Sequence, residues 1–301
     1  MALIMFNTAV ANTNRKSALL ISLIFLFSAL PGLAQVPTSE FVRFVPGDQQ
    51  WQGNLQTAIV SYEDDTGRQL DLVAAVHIAE PAYYQALNDY FKPQDAVLYE
   101  LVAEPDNRPT PGLTPPDSPL SFIQRMLANF LDVSFQLEHV DYLAENFIHA
   151  DLSPAELAEI MAAKNETFFS MFFSLAMTEM ASEQAARAAG ESSPSAFTYL
   201  SLLNAMAAED RGQAFKFLFA SELGRSDSLL FQPEMEQSLT ILGDRNQAAL
   251  QVLDLTLAQD TVKRLSIFYG AAHMPGLERA ITGQLGFRRT GQIWLDAWQI
   301  P

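Results

Sequence analysis

Two widely separated stretches of this chain repeat one local plan, and that repeat restricts the fold more than any other feature. From Thr57 to Tyr62 and from Gln69 to Val76 the sequence alternates or runs apolar with β-branched residues, and Glu63-Asp64-Asp65-Thr66-Gly67 between them is a hairpin signal. The two segments therefore read as antiparallel strands. After His77, Glu80-Pro81 opens a helix, because proline suits the first turn, and Tyr83, Tyr84, Leu87 and Tyr90 recur at helical spacing. Ala96 to Leu101 follows as a strand. The plan returns with Leu265 to Tyr269 as strand, Gly270-Ala271-Ala272-His273 as turn, Pro275 to Leu285 as helix and Phe287 to Trp298 as a last strand or hairpin. Ala74-Ala75-Val76-His77 aligns with Gly270-Ala271-Ala272-His273, and the interval from His77 to Glu100 equals that from His273 to Asp296. Read as two βαβ-like units, the plan predicts an α/β fold with one central sheet and both histidines at the carboxyl ends of its strands.

Between the units, residues 108–119 are proline-rich, and the stretch from about 115 to 258 reads as a large helical insertion. Ser153-Pro154-Ala155-Glu156 marks one helix start, with Ser153 as cap, Pro154 in the first turn and Glu156 completing a capping box. The region breaks at Gly190 to Ser195. Phe172, Phe173, Met177, Met180, Phe215 and Phe219 read as core contacts between its helices. At the other end, Arg15 and Lys16, an apolar run from Ala18 to Leu30 and Pro31-Gly32-Leu33-Ala34 have the order of a secretory signal peptide. Residues 1–34 are expected to be removed, leaving 35–301 as a single exported domain, periplasmic or secreted. The run from Ala18 to Leu30 is short against the roughly 20 residues of a spanning helix, so no stable membrane span is expected after cleavage.

The formal charge of −17 argues against nucleic acid, since phosphate recognition needs a basic face. The chain has no cysteine, so a metal would be held by His, carboxylate or amide groups and thiol chemistry is excluded. There is no Gly-rich phosphate loop, Gly-x-Ser-x-Gly elbow or His-Glu-x-x-His motif. Of four histidines, His77 and His273 fall in equivalent strand-end turns, where a neutral imidazole projects into the ligand crevice of an open α/β sheet. Glu100 ends an apolar strand, so its carboxylate must meet a cation, a base or an arginine, Arg245 being the nominee. Arg245 and Asn246, in Gly243-Asp244-Arg245-Asn246, offer fixed planar donors for an oxyanion, a water or a ligand. His149, Asp151, Asp244 and Asp296 are weaker candidates, and His139 reads as structural or solvent-exposed.

These residues resemble the TraB/GumN group, which includes the PrgY pheromone-shutdown proteins and is similar to the TIKI metalloproteases. The resemblance lies in Ala74-Ala75-Val76-His77, Glu100, Asp244-Arg245-Asn246 and Gly270-Ala271-Ala272-His273, in order along the chain. Ala74 stands where the first motif has glycine, and Asp244 where the triplet has glutamate. The resemblance implies an erythromycin-esterase-like and ChaN-like sheet, a common site of two histidines and the glutamate, and divalent-metal-dependent peptidase activity. The expectation is thus a metal-dependent hydrolase of a peptide or small-molecule substrate. His77, His273 and Glu100 would serve Mn, Co or Zn, Glu100 as ligand or general base, and Arg245 with Asn246 would steady the oxyanion. The alternative is a non-enzymatic protein that sequesters a peptide signal, a metal or haem. No motif speaks to oligomeric state.

Overall fold

The computed structural model describes residues 40–110, 134–167, 199–225 and 239–301 with a few isolated positions between 168 and 198, and among these described residues hydrophobic patterning resolves into nine strands and seven α-helices. The segment expected to be a signal peptide, residues 111–119 of the proline-rich stretch, Phe172, Phe173, Met177 and Met180 lie outside the described residues. The strands are β1 (Val42–Pro46), β2 (Gly53–Glu63), β3 (Gln69–Ala75), β4 (Ile78–Ala79), β5 (Ala96–Tyr99), β6 (Ser134–Phe135), β7 (Phe147–His149), β8 (Arg264–Gly270) and β9 (Arg288–Ile300). The helices are α1 (Pro81–Phe91), α2 (Gln136–His139), α3 (Pro154–Ala163), α4 (Tyr199–Ala207), α5 (Arg211–Leu223), α6 (Gly243–Leu257) and α7 (Met274–Gly283). Ser39–Pro301 forms one compact unit.

Seven strands make one mixed sheet in the order β1-β2-β3-β8-β5-β7, with β9 also paired to β2. The β2–β3 hairpin turns on Asp64, whose carboxylate accepts from Thr66 N, Thr66 Oγ1 and Arg68 N at 2.8, 2.7 and 3.0 Å, while Gly67 takes φ 81°. β9 runs antiparallel along the whole of β2, and β1 and β3 share the opposite edge of β2. From β3 the sheet continues in parallel through β8 and β5 to β7. β9 is antiparallel to β2, which is antiparallel to β3, so β9 shares the direction of β8. Both predicted units are therefore parallel strand–helix–strand units. Their strands β3, β5 and β8 are buried almost throughout, as parallel strands covered on both faces are.

α6 and α7 pack on each other and on β5 and β3, and α5 covers β1, β2 and β9. Tyr83, Tyr84, Leu87 and Phe91 form the buried stripe of α1, and Pro81 sits in its first turn. The predicted capping box is present at α3: Glu156 N donates to Ser153 Oγ at 3.2 Å, and Ser153 N to Glu156 Oε2 at 2.8 Å. Phe215 and Phe219 are partly buried against apolar clusters, as expected.

The stretch from about 115 to 258, read as a helical insertion, also contributes short strands among its described residues. Phe147–His149 is a strand of the central sheet, paired with Val97–Tyr99, and Ser134–Phe135 forms a separate two-stranded sheet with Ile78–Ala79. The C-terminal segment is a single 13-residue strand, not a hairpin.

Candidate functional site

The parallel strands end together, and the residues that follow them form the candidate site. β3 is followed by His77, β8 by a 3-10 turn ending in His273, β5 by Glu100 and β7 by Asp151. Between β8 and β5 the chain leaves in opposite directions, to β9 on the far side of β2 and to β7 at the other sheet edge. Such a switch point opens a crevice at the carboxyl ends of the strands. The N-terminal turn of α6 brings Arg245 and Asn246 to the same edge, both buried.

Glu100 extends the β5–β8 pairing by one residue, its N–H donating to Phe268 O at 3.0 Å. Its side chain is held twice. Arg245 Nη2 donates to Oε1 at 2.7 Å, and Gly270 N donates to Oε2 at 2.6 Å. Arg245 is also gripped by Asp151, whose side chain is 0% exposed, through Nε to Oδ1 at 3.0 Å and Nη2 to Oδ2 at 2.5 Å. Burial disfavours ionised Glu100, but its neighbours His273, Arg245 and His77 together outweigh that cost and hold the carboxyl well below its ordinary range. For Arg245, burial is likewise outweighed by Glu100 and Asp151, so the guanidinium stays charged. Two buried carboxylates against one guanidinium leave this triad one negative charge in excess.

His273, 4% exposed, is fixed by Asn246. Asn246 Nδ2 donates to His273 O at 3.3 Å, which leaves Oδ1 to accept from His273 Nδ1–H at 2.8 Å. The tautomer is thereby set, and Nε2 is turned toward Glu100 Oε1 at 3.5 Å. Tyr269 backs the ring edge-on at 5.2 Å, and its hydroxyl donates to Ala150 O. Burial first, then Asp151 and Glu100, push the Tyr269 phenol well upward, so it remains a neutral donor.

His77 is the contrasting member. Its carbonyl accepts from Gln136 N at 2.9 Å, and Trp298 Nε1 donates to Ile78 O at 2.7 Å, so the backbone of the turn is fixed. Its ring is exposed. The three candidate ligands nonetheless meet around Gly270: a Cβ there would lie 3.3 Å from Glu100 Oε2, 3.7 Å from His77 Nε2 and 3.8 Å from His273 Cδ2. On one side, Val102, Leu152 and Ala272, each just past a strand end, pack against Leu157, Met161, Leu239 and Leu242 in an apolar wall.

The structure thus brings together His77, Glu100, His273, Arg245, Asn246 and Asp151. His149 stands at the edge of this group: its Nε2–H donates to Leu101 O at 2.7 Å, tying β7 to the segment after β5. Asp244 pairs with Lys164 on the outer side of α6, away from the acids. Asp296 lies inside β9, where Gln56 Nε2 donates to Oδ1 at 2.6 Å, so equal spacing in sequence does not place it beside His273. Arg245 and Asn246 are committed to Glu100, Asp151 and His273, which makes them positioning groups where free oxyanion donors were expected. His139 stacks flat on Tyr84 at 5.6 Å, a structural role as expected. Sequence reasoning missed Tyr269 and the space at Gly270; the apolar run ending in Tyr-Gly was the available signal for both.

Chemically, a donor set of two imidazoles and a carboxylate is of the type that suits a borderline divalent cation. Asn246 supplies the outer hydrogen bond that a ligating histidine needs on its other nitrogen. Glu100 keeps lone pairs beyond those used by Arg245 and Gly270. Among the described residues, no three His, Cys, Asp or Glu side chains form a ready-made cation cage, and no helix is long and apolar enough to cross a membrane. No known family profile, curated protein or solved structure matches the chain.

Proposed function

We propose that the chain is an exported, metal-dependent hydrolase of the TraB/GumN and TIKI kind, cleaving a peptide or amide bond at the His77–Glu100–His273 edge on an erythromycin-esterase-like and ChaN-like sheet. The supporting observation is the approach of His273 Nε2 to Glu100 Oε1 at 3.5 Å beside a triad with excess negative charge. With Nδ1–H committed to Asn246, a neutral ring turns its lone pair toward a carboxylate. Two electron-rich atoms are held so near each other favourably only when a proton or a cation lies between them.

His77, His273 and Glu100 would hold the cation, of the manganese, cobalt or zinc class. When bound, such an ion acidifies a water and polarises an acyl oxygen. The chain's own residues supply the rest. Glu100, kept ionised by Arg245, accepts the proton of an attacking water and returns it to the leaving amine. Asp151 fixes Arg245 through Nε and Nη2 and so holds the guanidinium against Glu100. Asn246 holds His273 in one tautomer, and the wall over Val102, Leu152 and Ala272 limits water on that side.

The test is hydrolysis of peptide libraries by the purified protein supplied in turn with manganese, cobalt and zinc, beside His77→Ala and His273→Ala. Turnover that falls by about 100-fold or more in both variants is expected. Unchanged turnover in either variant contradicts the reading. Metal uptake without cleavage of any peptide or ester would make the protein a metal-binding protein instead.

A further inference from the structure

A second group of charges lies at the same edge of the sheet, apart from Glu100. β9 shares the direction of β8, so it ends on the side where β3, β8 and β5 end. Its pairing with β2 continues to Gly53 and Ile300, well past the last β2–β3 pair at Ile59 and Val73. There an open cavity of about 600 Å³ is lined by Glu80, Pro81, Ala82, Lys216, Gln299 and Pro301, within the size range of small-molecule sites. Glu80 stands at the start of α1 but makes no capping hydrogen bond to it. Its Oε1 instead accepts from Lys216 Nζ at 3.0 Å and from Gln299 N at 2.7 Å. Both side chains of the pair are mostly covered, Lys216 at 12% exposure and Glu80 at 23%. The pair is nevertheless only partly used. Among the described residues no donor reaches Glu80 Oε2, and the Lys216 ammonium, which carries three donors, meets no acceptor besides Glu80.

We propose that this cavity binds a small zwitterion of the free α-amino acid class, with its ammonium on Glu80 Oε2, its carboxylate on Lys216 Nζ and its side chain along Pro81, Ala82 and Pro301. A lone anion on Lys216 would sit beside the Glu80 carboxylate, and a lone amine on Glu80 beside the Lys216 ammonium, so each would meet repulsion that offsets its attraction. A ligand bearing both charges answers both groups. Because Nζ and Oε1 are only 3.0 Å apart, those charges must lie close together, as they do across one α-carbon and do not at the two ends of an extended peptide. Gln299 N and Lys216 together fix Oε1, which sets the direction of Oε2 before any ligand arrives. The apolar part of the lining leaves the ligand's side chain an aliphatic surface. None of these residues belongs to the His77–Glu100–His273 group, so the proposal stands apart from the hydrolase reading.

The experiment uses the full chain without added metal and leucine as the calorimetric probe. Leucine should bind. N-acetyl-leucine, which lacks the ammonium, and leucine amide, which lacks the carboxylate, should each bind about 10-fold more weakly or worse. Lys216→Met and Glu80→Gln should weaken leucine by a similar factor, whereas Lys92→Met, in an exposed ion pair at the far end of α1, should leave it unchanged. Failure of the wild type to bind leucine overturns the proposal. Equal binding of leucine and either analogue overturns it too, and this comparison decides the matter if the variants do not fold. Leucine binding that survives both Lys216→Met and Glu80→Gln in folded protein puts the ligand elsewhere and equally overturns it.

Discussion

The two histidine turns look alike in sequence and differ in structure. His273 ends a 3-10 turn, is almost fully buried and is held at both its ring and its carbonyl by Asn246. His77 follows β3 in an open bend, anchored through its backbone but exposed at its ring. The reason is a small offset in where the strands stop. β3 ends at Ala75, in register with Gly270 at the end of β8, so His77 has two steps past the ladder where His273 has three. The extra residue completes a helical turn that carries His273 back under α6, whereas His77 stays at the rim. The site therefore has a rigid half, made of Glu100, Arg245, Asp151, Asn246 and His273, and an open half made of His77.

The largest way to break this contrast is to remove the centre of the rigid half. Arg245→Met leaves Glu100 and Asp151 buried without their shared cation and should cost about 3–5 kcal/mol, read by urea unfolding. Next, Asn246→Ala frees the Nδ1–H and carbonyl of His273 and should cost about 1–3 kcal/mol; a calorimetric scan would show it. His77→Ala should change stability by no more than about 0.5 kcal/mol, although it should abolish metal uptake as fully as His273→Ala does. A loss of several kcal/mol at His77 would erase the distinction between the halves.

The smallest effect lies at the opposite end of β8 from His273. Asp95 accepts from Lys263 N and Arg264 N at 2.8 Å each, and the backbone bonds to Arg264 and Lys263 hold its carboxyl below the ordinary 3.8. A depressed carboxyl contributes stability that is present above its unfolded value and lost as the pH falls through the folded one. Asp95→Ala should accordingly be less stable than wild type at neutral pH and approach it as the pH falls below the ordinary 3.8, as acid titration of the unfolding midpoint would record.

Much of this arrangement was legible from local signals. His77, Glu100 and His273 each follow an apolar run and precede a turn or helix, so their placement at strand ends depended only on recognising β3, β5 and β8. The pairing of Glu100 with Arg245 followed from the cost of burying a lone carboxylate. Asp151 was harder to place because β7 is three residues long, too short to show a period of two, and it becomes a strand only by pairing with β5. Asp296 was misjudged because an interval in sequence does not measure distance once β9 runs thirteen residues beside β2. The roles of Arg245 and Asn246 were misread for a related reason: a sequence lists donors and does not show which acceptors already hold them.

The most direct measurement is elemental analysis of the purified protein alongside a His77→Ala, His273→Ala double variant, after exposure to manganese, cobalt and zinc. The account predicts near-stoichiometric divalent metal in the wild type and none in the folded double variant. Equal metal in the two proteins, or none in either, would contradict it.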